Sequence, residues 1–332
     1  LIHEISKCLT EAGIDFVTLG GVVPNPRLSK VREGISLCQK ESVDFILAVG
    51  GGSVIDSAKA IGYGVANPWT DVWNFFLKTE IPNACLPIGA IPTIAASGSE
   101  MSGSCVITNE DGWLKRGSTR SDLCRPKFTL MNPRLTYTLP EYQTESGCVD
   151  ILLHTMERYF VNIETMEITD SISESLMQTV IYNARILLNE PGNYNARAEI
   201  MWAGSLSHNG ITGLGAEKDF AVHQLGHELS AKFDIAHGAS LSAVWGAWAT
   251  YVYDAKPARF AQYARRVWNV EEADDVKAAQ EGIRKTVTYF ASLDMPTSFR
   301  EAKEIGSKTD EEMKQMAHGC SYEGTRTIGS FK

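Results

Sequence analysis

The sequence lacks the cysteine pattern of a disulfide scaffold or of a thiolate metal site. Its 332 residues include seven cysteines, and no two of them form a Cys-x-x-Cys pair. Their number is odd and their spacing irregular, whereas disulfide frameworks and Cys₄ zinc sites use paired, closely spaced cysteines. We therefore interpret them as mostly buried, reduced thiols.

Excess positive charge and long apolar segments are also missing. The formal net charge is −9, and a surface that holds nucleic acid needs clustered Lys and Arg. No apolar run reaches the roughly 20 residues that span a membrane, and residues 1–12 predict an amphipathic helix instead of a signal peptide. We expect a soluble, cytoplasmic protein with no nucleic-acid or membrane partner.

No internal repeat or low-complexity tract interrupts the chain, and its length favours two domains. Residues 1–139 alternate strand and helix patterns, which is typical of a parallel sheet covered by helices. Residues 140–332 show helical periodicity, as over residues 168–187. We predict an α/β dinucleotide-binding domain over 1–139 and a helical metal-binding domain over 140–332. The predicted strands cover residues 16–19, 45–49, 85–91 and 128–131, and the first helices cover 1–12, 28–40 and 54–64.

A glycine-rich turn joins a predicted strand to a helix at Gly50, Gly51, Gly52 and Ser53. Glycines let the backbone approach a phosphate, and the free amides of a helix N-terminus stabilise its charge. The motif is neither G-x-G-x-x-G nor a P-loop, so a tight structural turn is the alternative interpretation. A second stretch rich in small and hydroxyl residues, 91–100, follows the next strand, and two such loops side by side predict a dinucleotide cleft.

Five side chains form the most informative cluster of the sequence. Asp150 and His154 are four residues apart, His223 and His227 repeat that spacing, and His237 follows ten residues later. Residues four apart share one helix face, and imidazole with carboxylate suits zinc or ferrous iron. The pattern predicts a divalent site somewhere among these five residues. A single histidine is more often an ordinary core or surface residue than a ligand, which is how we interpret His3, His208 and His318.

A divalent ion beside a dinucleotide cleft indicates dehydrogenase chemistry, because a Lewis acid polarises a carbonyl oxygen while the nicotinamide exchanges hydride. A metallohydrolase with purely structural glycine turns is one alternative, and a non-catalytic metal-binding protein is another. Three aromatic residues could line a small apolar pocket or could simply pack between helices. They are Trp202, Phe220 and Trp245.

Five segments in this order and spacing resemble the iron-containing (group III) alcohol dehydrogenases, particularly their butanol dehydrogenase and aldehyde reductase branch. They are VGGGSVIDSAKAIG, PTIAASGSE, NPRLTYTLP, GCVDILLHTMERY and HQLGHELSAKFDIAHGASLS. The resemblance spans essentially the whole chain. It implies a Rossmann-like α/β domain, an all-α C-terminal domain (the dehydroquinate synthase-like fold), an active site between them, and a homodimer.

The resemblance also implies roles for individual residues. It makes Asp150, His154, His223 and His237 the metal ligands and places His227 near nicotinamide and substrate. It implies Fe²⁺ or Zn²⁺, NAD or NADP, and the interconversion of primary alcohols and aldehydes of the butanol type. The residues that it assigns to the cofactor are Gly51, Gly52, Ser53, Asp56, Thr93, Ser97, Lys115 and Thr138.

Two departures from the family pattern accompany the resemblance. Ser97 stands where threonine is more usual and keeps the hydroxyl. Relatives begin with a strand and loop that contact the adenosine ribose, and they end with a further helix, so we expect both segments to lie outside residues 1–332. Glycerol dehydrogenase and dehydroquinate synthase share the fold, but the pairing of Asp150 with His154 disfavours them.

Overall fold

A parallel three-stranded sheet is the centre of the N-terminal part of the computed structural model, which describes residues 1–118, 121–163 and 166–331. β1 (Ile46–Gly50) pairs with β2 (Ile88–Pro92), and β2 pairs with β5 (Phe128–Thr129). A separate antiparallel hairpin is formed by β3 (Val106–Asn109) and β4 (Leu114–Gly117). Because β1 and β2 run parallel and in register, both end at the same edge of the sheet, where ligands bind in open α/β folds.

Helices cover this sheet and supply its core. The helices of this part are α1 (Ile2–Glu11), α2 (Leu28–Lys40), α3 (Gly52–Ala66) and the short α4 (Asn74–Leu77). α3 packs against α2, β1 and β2, and every residue from Ser57 to Gly64 is buried. This burial fixes the start of α3, and with it the glycine turn, at the edge of the sheet.

Two features of this part differ from the sequence-based prediction. Residues 16–19 are extended but not a strand, because no neighbouring strand among the described residues hydrogen-bonds to them. Phe16 and Val17 are accordingly 42% and 46% exposed. The hairpin of β3 and β4 was not predicted, since each of its strands has only four residues, too few for a clear alternation.

The C-terminal part is helical, as predicted. Its helices are α5 (Glu141–Tyr159), α6 (Glu167–Asn189), α7 (Tyr194–Asn209), α8 (Ala221–Phe233), α9 (His237–Val252), α10 (Pro257–Trp268), α11 (Asp275–Ser292) and α12 (Asp310–Cys320). α5 packs against α6, α7, α8 and α9, and every residue from 144 to 159 is buried. α5 is therefore enclosed on all sides, and it starts two residues after the predicted domain boundary.

Within the described residues, no helix is both long enough and apolar enough to cross a membrane.

Candidate metal centre and cofactor cleft

Three helices bring four potential metal ligands to one point. Asp150 and His154 lie one turn apart on α5, His223 lies in the first turn of α8, and His237 is the first residue of α9. One ligand atom from each of the four lies within 4.8 Å of all the others. Asp150, His154 and His223 are at most 5% exposed, so this group is shielded from bulk water.

The distances in this group suit a divalent ion. Asp150 Oδ1 lies 3.3 Å from the Nε2 of His154, 3.9 Å from that of His223 and 3.8 Å from that of His237. In a tetrahedral site with bonds of about 2.0–2.1 Å, ligand atoms are separated by about 3.4 Å. Asp150 Oδ1 is buried and makes no hydrogen bond within the described chain. A buried carboxylate oxygen left without a donor is costly, and a cation at this point removes that cost.

Burial keeps the imidazoles in the form that binds metals. It lowers the pKa of His154 and His237 well below the ordinary value, and nearby positive groups lower both further. Burial also raises the pKa of the Asp150 carboxyl to about 6, against the opposing effect of His223. Neutral imidazoles carry a free lone pair, so His154 and His237 need no deprotonation at neutral pH to accept an ion.

His227 lies beside this group but is not part of it. Its ring centroid is 5.5 Å from that of His237 and 6.4 Å from that of His223, and its side chain lines the cleft described below. Burial lowers its pKa well below the ordinary value, and Lys115 adds to the effect. The structure thus separates the four clustered ligand atoms from the neutral imidazole of His227, which faces the cleft.

The Nδ1 atoms of two of the candidate ligands contact different side chains. His223 Nδ1 contacts the Glu157 carboxylate, which also accepts hydrogen bonds from the backbone N–H groups of Val222 and His223. His154 Nδ1 lies 3.1 Å from His208 Nδ1, which in turn lies 3.1 Å from Arg158 Nη2. His208, which we interpreted as an ordinary core or surface residue, therefore lies next to a candidate ligand and lines the cleft.

The opposite side of the cleft, which we call the loop wall (residues 50–53 and 93–104), is built mainly from backbone and small side chains. Gly51, Gly52 and Ser53 form the start of α3 and line a cleft of about 730 Å³ that also contains the four candidate ligands. A Cβ on Gly52 would lie 2.4 Å from Ser97 Oγ, and one on Gly51 would lie 2.7 Å from Ile94. The two predicted loops thus touch, and a larger residue at either glycine would have to displace a side chain of the second loop.

Two charged residues, the half-buried Asp56 and the buried Lys59, hold the loop wall in place. Asp56 accepts hydrogen bonds from Ser99 Oγ at 2.5 Å and from the backbone N–H of Val106 at 2.9 Å. Lys59 is fully buried, and its Nζ donates to the carbonyl oxygens of Ser99, Ser102 and Ser104 at 2.6–2.9 Å. Asp56, which we assigned to the cofactor from the resemblance, lines the cleft and also holds the serine-rich loop in place.

The other predicted cofactor residues are not all in the cleft. Lys115, on β4, lines it and donates to Asn25 Oδ1 at 2.8 Å, and burial lowers its pKa to about 8. Thr93 is half-buried, and its backbone N–H donates to the carbonyl oxygen of Gly50. Thr138 is exposed. Neither threonine is among the residues that line the cleft, whereas Ser97 is.

Of the three aromatic residues proposed to line a pocket, one lies in the cleft and two do not. Phe220 lines the cleft, Trp245 is fully buried in the helical core, and Trp202 is 50% exposed on α7. Only Phe220 is thus placed to contact a ligand.

Sequence reasoning missed several residues of the site. Glu157 carried a usable signal, because it lies three residues after His154 and so on the same side of α5. His208 and Lys59 carried none, since their partners are 54 and 40 to 45 residues away. Tyr322 and Arg326, which follow α12 and line the cleft near Gln224, carried none either.

Comparison with known proteins gives a consistent result. A family model described as iron-containing alcohol dehydrogenase matches residues 1–133, and a model of the C-terminal part of the Fe-containing alcohol dehydrogenase family matches residues 144–326. NADH-dependent butanol dehydrogenase A of Clostridium acetobutylicum is 38% identical over 334 residues, which covers 100% of this chain and 84% of that protein. The NADPH-dependent aldehyde reductase of Escherichia coli is 35% identical, covering 94% of this chain and 81% of that protein.

Solved structures agree with the sequence comparison. The crystal structure of NADH-dependent butanol dehydrogenase A from Thermotoga maritima superposes with a TM-score of 0.94 at 33% identity, covering 100% of this chain and 83% of the other. The two family models together match most of the chain, and a relative that is 38% identical covers all of it. The chain therefore belongs to the iron-containing alcohol dehydrogenase family.

Proposed function

We propose that this chain is a metal-dependent, NAD(P)-linked oxidoreductase that interconverts primary alcohols and aldehydes in the cleft between its two parts. One observation carries the proposal. Four ligand atoms of Asp150, His154, His223 and His237 lie within 4.8 Å of one another, in the same cleft as the glycine turn at the start of α3. A Lewis acid site and a phosphate-binding turn that share one cleft suit hydride transfer to or from a small carbonyl compound.

The four ligands would hold Fe²⁺ or Zn²⁺, since both ions accept imidazole and carboxylate. When bound, the ion supplies Lewis acidity toward the substrate oxygen. His227 faces the same cleft as a neutral imidazole, so it can hydrogen-bond to the substrate and pass on a proton. Phe220 supplies an apolar surface close to His223, with ring centroids 5.1 Å apart.

The loop wall would hold the cofactor. Gly51, Gly52 and Ser53 present free amides at the N-terminus of α3, which favour a pyrophosphate. Ser97 adds a hydroxyl and Lys115 adds a positive charge to the same surface. Asp56 acts through the loop that it anchors, and Thr93 and Thr138 would act from outside the cleft lining.

The names of the relatives support an assay with both cofactors. The C. acetobutylicum relative is named as NADH-dependent and the E. coli relative as NADPH-dependent. Butanal is the natural first substrate, since the Clostridium and Thermotoga relatives are named butanol dehydrogenases.

The experiment that tests the proposal measures metal, cofactor and turnover on one preparation. The protein is purified anaerobically, analysed for iron and zinc, and titrated with NADH and NADPH by nicotinamide fluorescence before butanal reduction is assayed. We expect about one divalent ion per chain, saturable binding of at least one cofactor, and turnover. Metal binding without any nicotinamide binding would overturn the proposal in favour of a metallohydrolase, and binding of both without turnover would favour a non-catalytic role.

We further propose a cytoplasmic location and a homodimeric state. The location is supported by the cysteines, which are all free, as is typical of reducing compartments. The dimer rests on the family resemblance alone. Light scattering during gel filtration tests it, with a mass of one 36.4 kDa chain as the contradicting result.

A further inference from the structure

The hydrogen bonds around His154 and His208 determine which nitrogen of each ring carries a proton. Arg158 Nη2 lies 3.1 Å from His208 Nδ1, and a guanidinium can only donate. His208 Nδ1 must therefore be the acceptor, with the proton of the neutral ring on Nε2.

The same reasoning extends to the metal ligand. His154 Nδ1 also lies 3.1 Å from His208 Nδ1, so His154 is a second donor that shares the single lone pair of His208 Nδ1 with Arg158. A neutral imidazole that is protonated at Nδ1 has its lone pair at Nε2. His154 Nε2 is the atom that lies 3.3 Å from Asp150 Oδ1 and 3.4 Å from His223 Nε2, so the lone pair points into the candidate metal site.

Packing holds this arrangement in place. Arg158 is 2% exposed, contacts the carbonyl oxygen of His154 on the same helix, and has its guanidinium 4.8 Å from the centroid of the Phe220 ring. His208 is pressed against the loop wall, since a Cβ on Gly98 would lie 2.7 Å from His208 Cβ. These contacts hold the Arg158 guanidinium and the backbone of α7 at His208 in place.

We propose that His208, oriented by Arg158, is a positioning residue that fixes the metal-binding tautomer of His154. The inference rests on the proposed metal site and adds to it a residue on α7. His223 has a carboxylate, Glu157, in the equivalent place, which is the more common partner of a ligating histidine. His154 instead relies on a neutral imidazole backed by a cation, which makes His208 the acceptor on which its orientation depends.

Metal affinity in the full-length chain tests the proposal through two variants of opposite chemistry. His208→Gln keeps an acceptor, the side-chain carbonyl oxygen, whereas His208→Leu removes it at similar volume. Changes in such outer partners typically cost 10- to 100-fold in metal affinity. We expect His208→Leu to weaken Zn²⁺ binding by about that factor and His208→Gln to stay within about threefold of the wild type, measured by competition with a chromophoric chelator.

Replacement of the ion by Co²⁺ gives a second readout that does not depend on turnover. We expect the visible absorption bands of Co²⁺ to shift in His208→Leu and to be retained in His208→Gln, because the bands report the ligand geometry. His318→Gln, on the exposed surface of α12, is the matched control. If His208→Leu does not fold, as judged by circular dichroism of the metal-free protein, His208→Phe provides the same comparison with a planar ring that lacks the acceptor.

The outcomes separate this inference from the proposed function. Failure of the wild-type chain to bind Zn²⁺ would contradict both. Wild-type binding together with unchanged affinity and spectrum in His208→Leu would overturn the positioning role alone. An equal loss of Zn²⁺ affinity in His208→Leu and His208→Gln would also overturn it. His208 would then contribute through its packing and not through its hydrogen bond.

Discussion

The two sides of the cleft are built on different principles. The loop wall is made mainly of backbone amides, glycines and small side chains, and the charged residues next to it, Asp56 and Lys59, act by holding its loops in place. The helical side, which carries Asp150, His154 and His223, presents charged or polar side chains from rigid, buried helices. Backbone can approach a cofactor closely, whereas ligands for an ion need side chains whose direction is fixed.

The difference predicts how each side responds to mutation. Loss of a ligand on the helical side should remove metal and leave cofactor affinity largely intact. Loss of a buried anchor behind the loop wall should weaken cofactor binding and stability and leave the metal in place. The predictions below test whether the two sides are separable in this way, starting with the largest effect.

The largest effect is expected on the helical side. His223→Ala should lose the metal and lower the rate of butanal reduction roughly a thousandfold, as expected when electrostatic stabilisation of developing charge is removed. His227→Ala should keep most of its metal and lose about a hundredfold in rate, as for loss of an acid or base. Metal content by elemental analysis is the measurement, and His318→Ala is the control. Equal metal loss in both variants would contradict the distinct roles.

On the loop wall, Lys59→Met should destabilise the protein by about 3–5 kcal/mol, because it leaves buried carbonyl oxygens and Asp56 without their cation. NADH affinity should fall with it, while Zn²⁺ affinity stays within a few-fold. Urea unfolding and a fluorescence titration measure the two effects, with the exposed Lys40→Met as control. A parallel loss of Zn²⁺ affinity would show that the two sides are not separable.

At the junction of the two sides, Gly147 on α5 lies against the loop wall, and a Cβ there would lie 2.3 Å from the carbonyl oxygen of Ala95. Gly147→Ala should cost about 1–3 kcal/mol, as overpacking does in well-packed interiors. Gly192→Ala, where a Cβ meets nothing within 4 Å, should cost less than about 0.5 kcal/mol. Similar unfolding midpoints for the two variants would refute the close contact.

The smallest effect concerns Glu145, an acid on α5 outside the metal group. Burial, with Glu141 and Asp294 nearby, raises its pKa from 4.5 to about 7. The folded state therefore keeps a proton that the unfolded state loses, and stability falls as pH rises from 4.5 to 7. Glu145→Gln should remove this fall, so its stability relative to the wild type should improve across that window. Parallel pH profiles in urea unfolding would contradict the prediction.

Local patterns made much of the architecture predictable. Helix periodicity located α1 and α6 to within one or two residues, and β1 and α3 followed from a buried run that ends in glycines. Residues 16–19 have a strand-like composition but no hydrogen-bonding neighbour among the described residues, and composition alone cannot supply one. The hairpin of β3 and β4 was missed because its strands are short.

The site was predictable where its residues share a helix turn. Asp150 and His154, and likewise His223 and His227, were found by their spacing of four, and their roles as ligands and acid or base stay predictions. His208 and Lys59 depend on contacts between distant segments. The role of a histidine on α7 or a lysine on α3 depends on a partner that is distant in the sequence. No local sequence pattern predicts such a contact.

The complete enclosure of α5 has a consequence for changing the substrate range of this protein. Every residue from 144 to 159 is buried, so a random library over that stretch would consist mostly of unfolded variants. Gln224, Lys218 and Tyr322 line the cleft from less buried positions. Substitutions at those three positions would leave the buried core unchanged and could alter which aldehydes are accepted. Directed evolution of the substrate range should therefore start at these partly exposed positions of the cleft and not on α5.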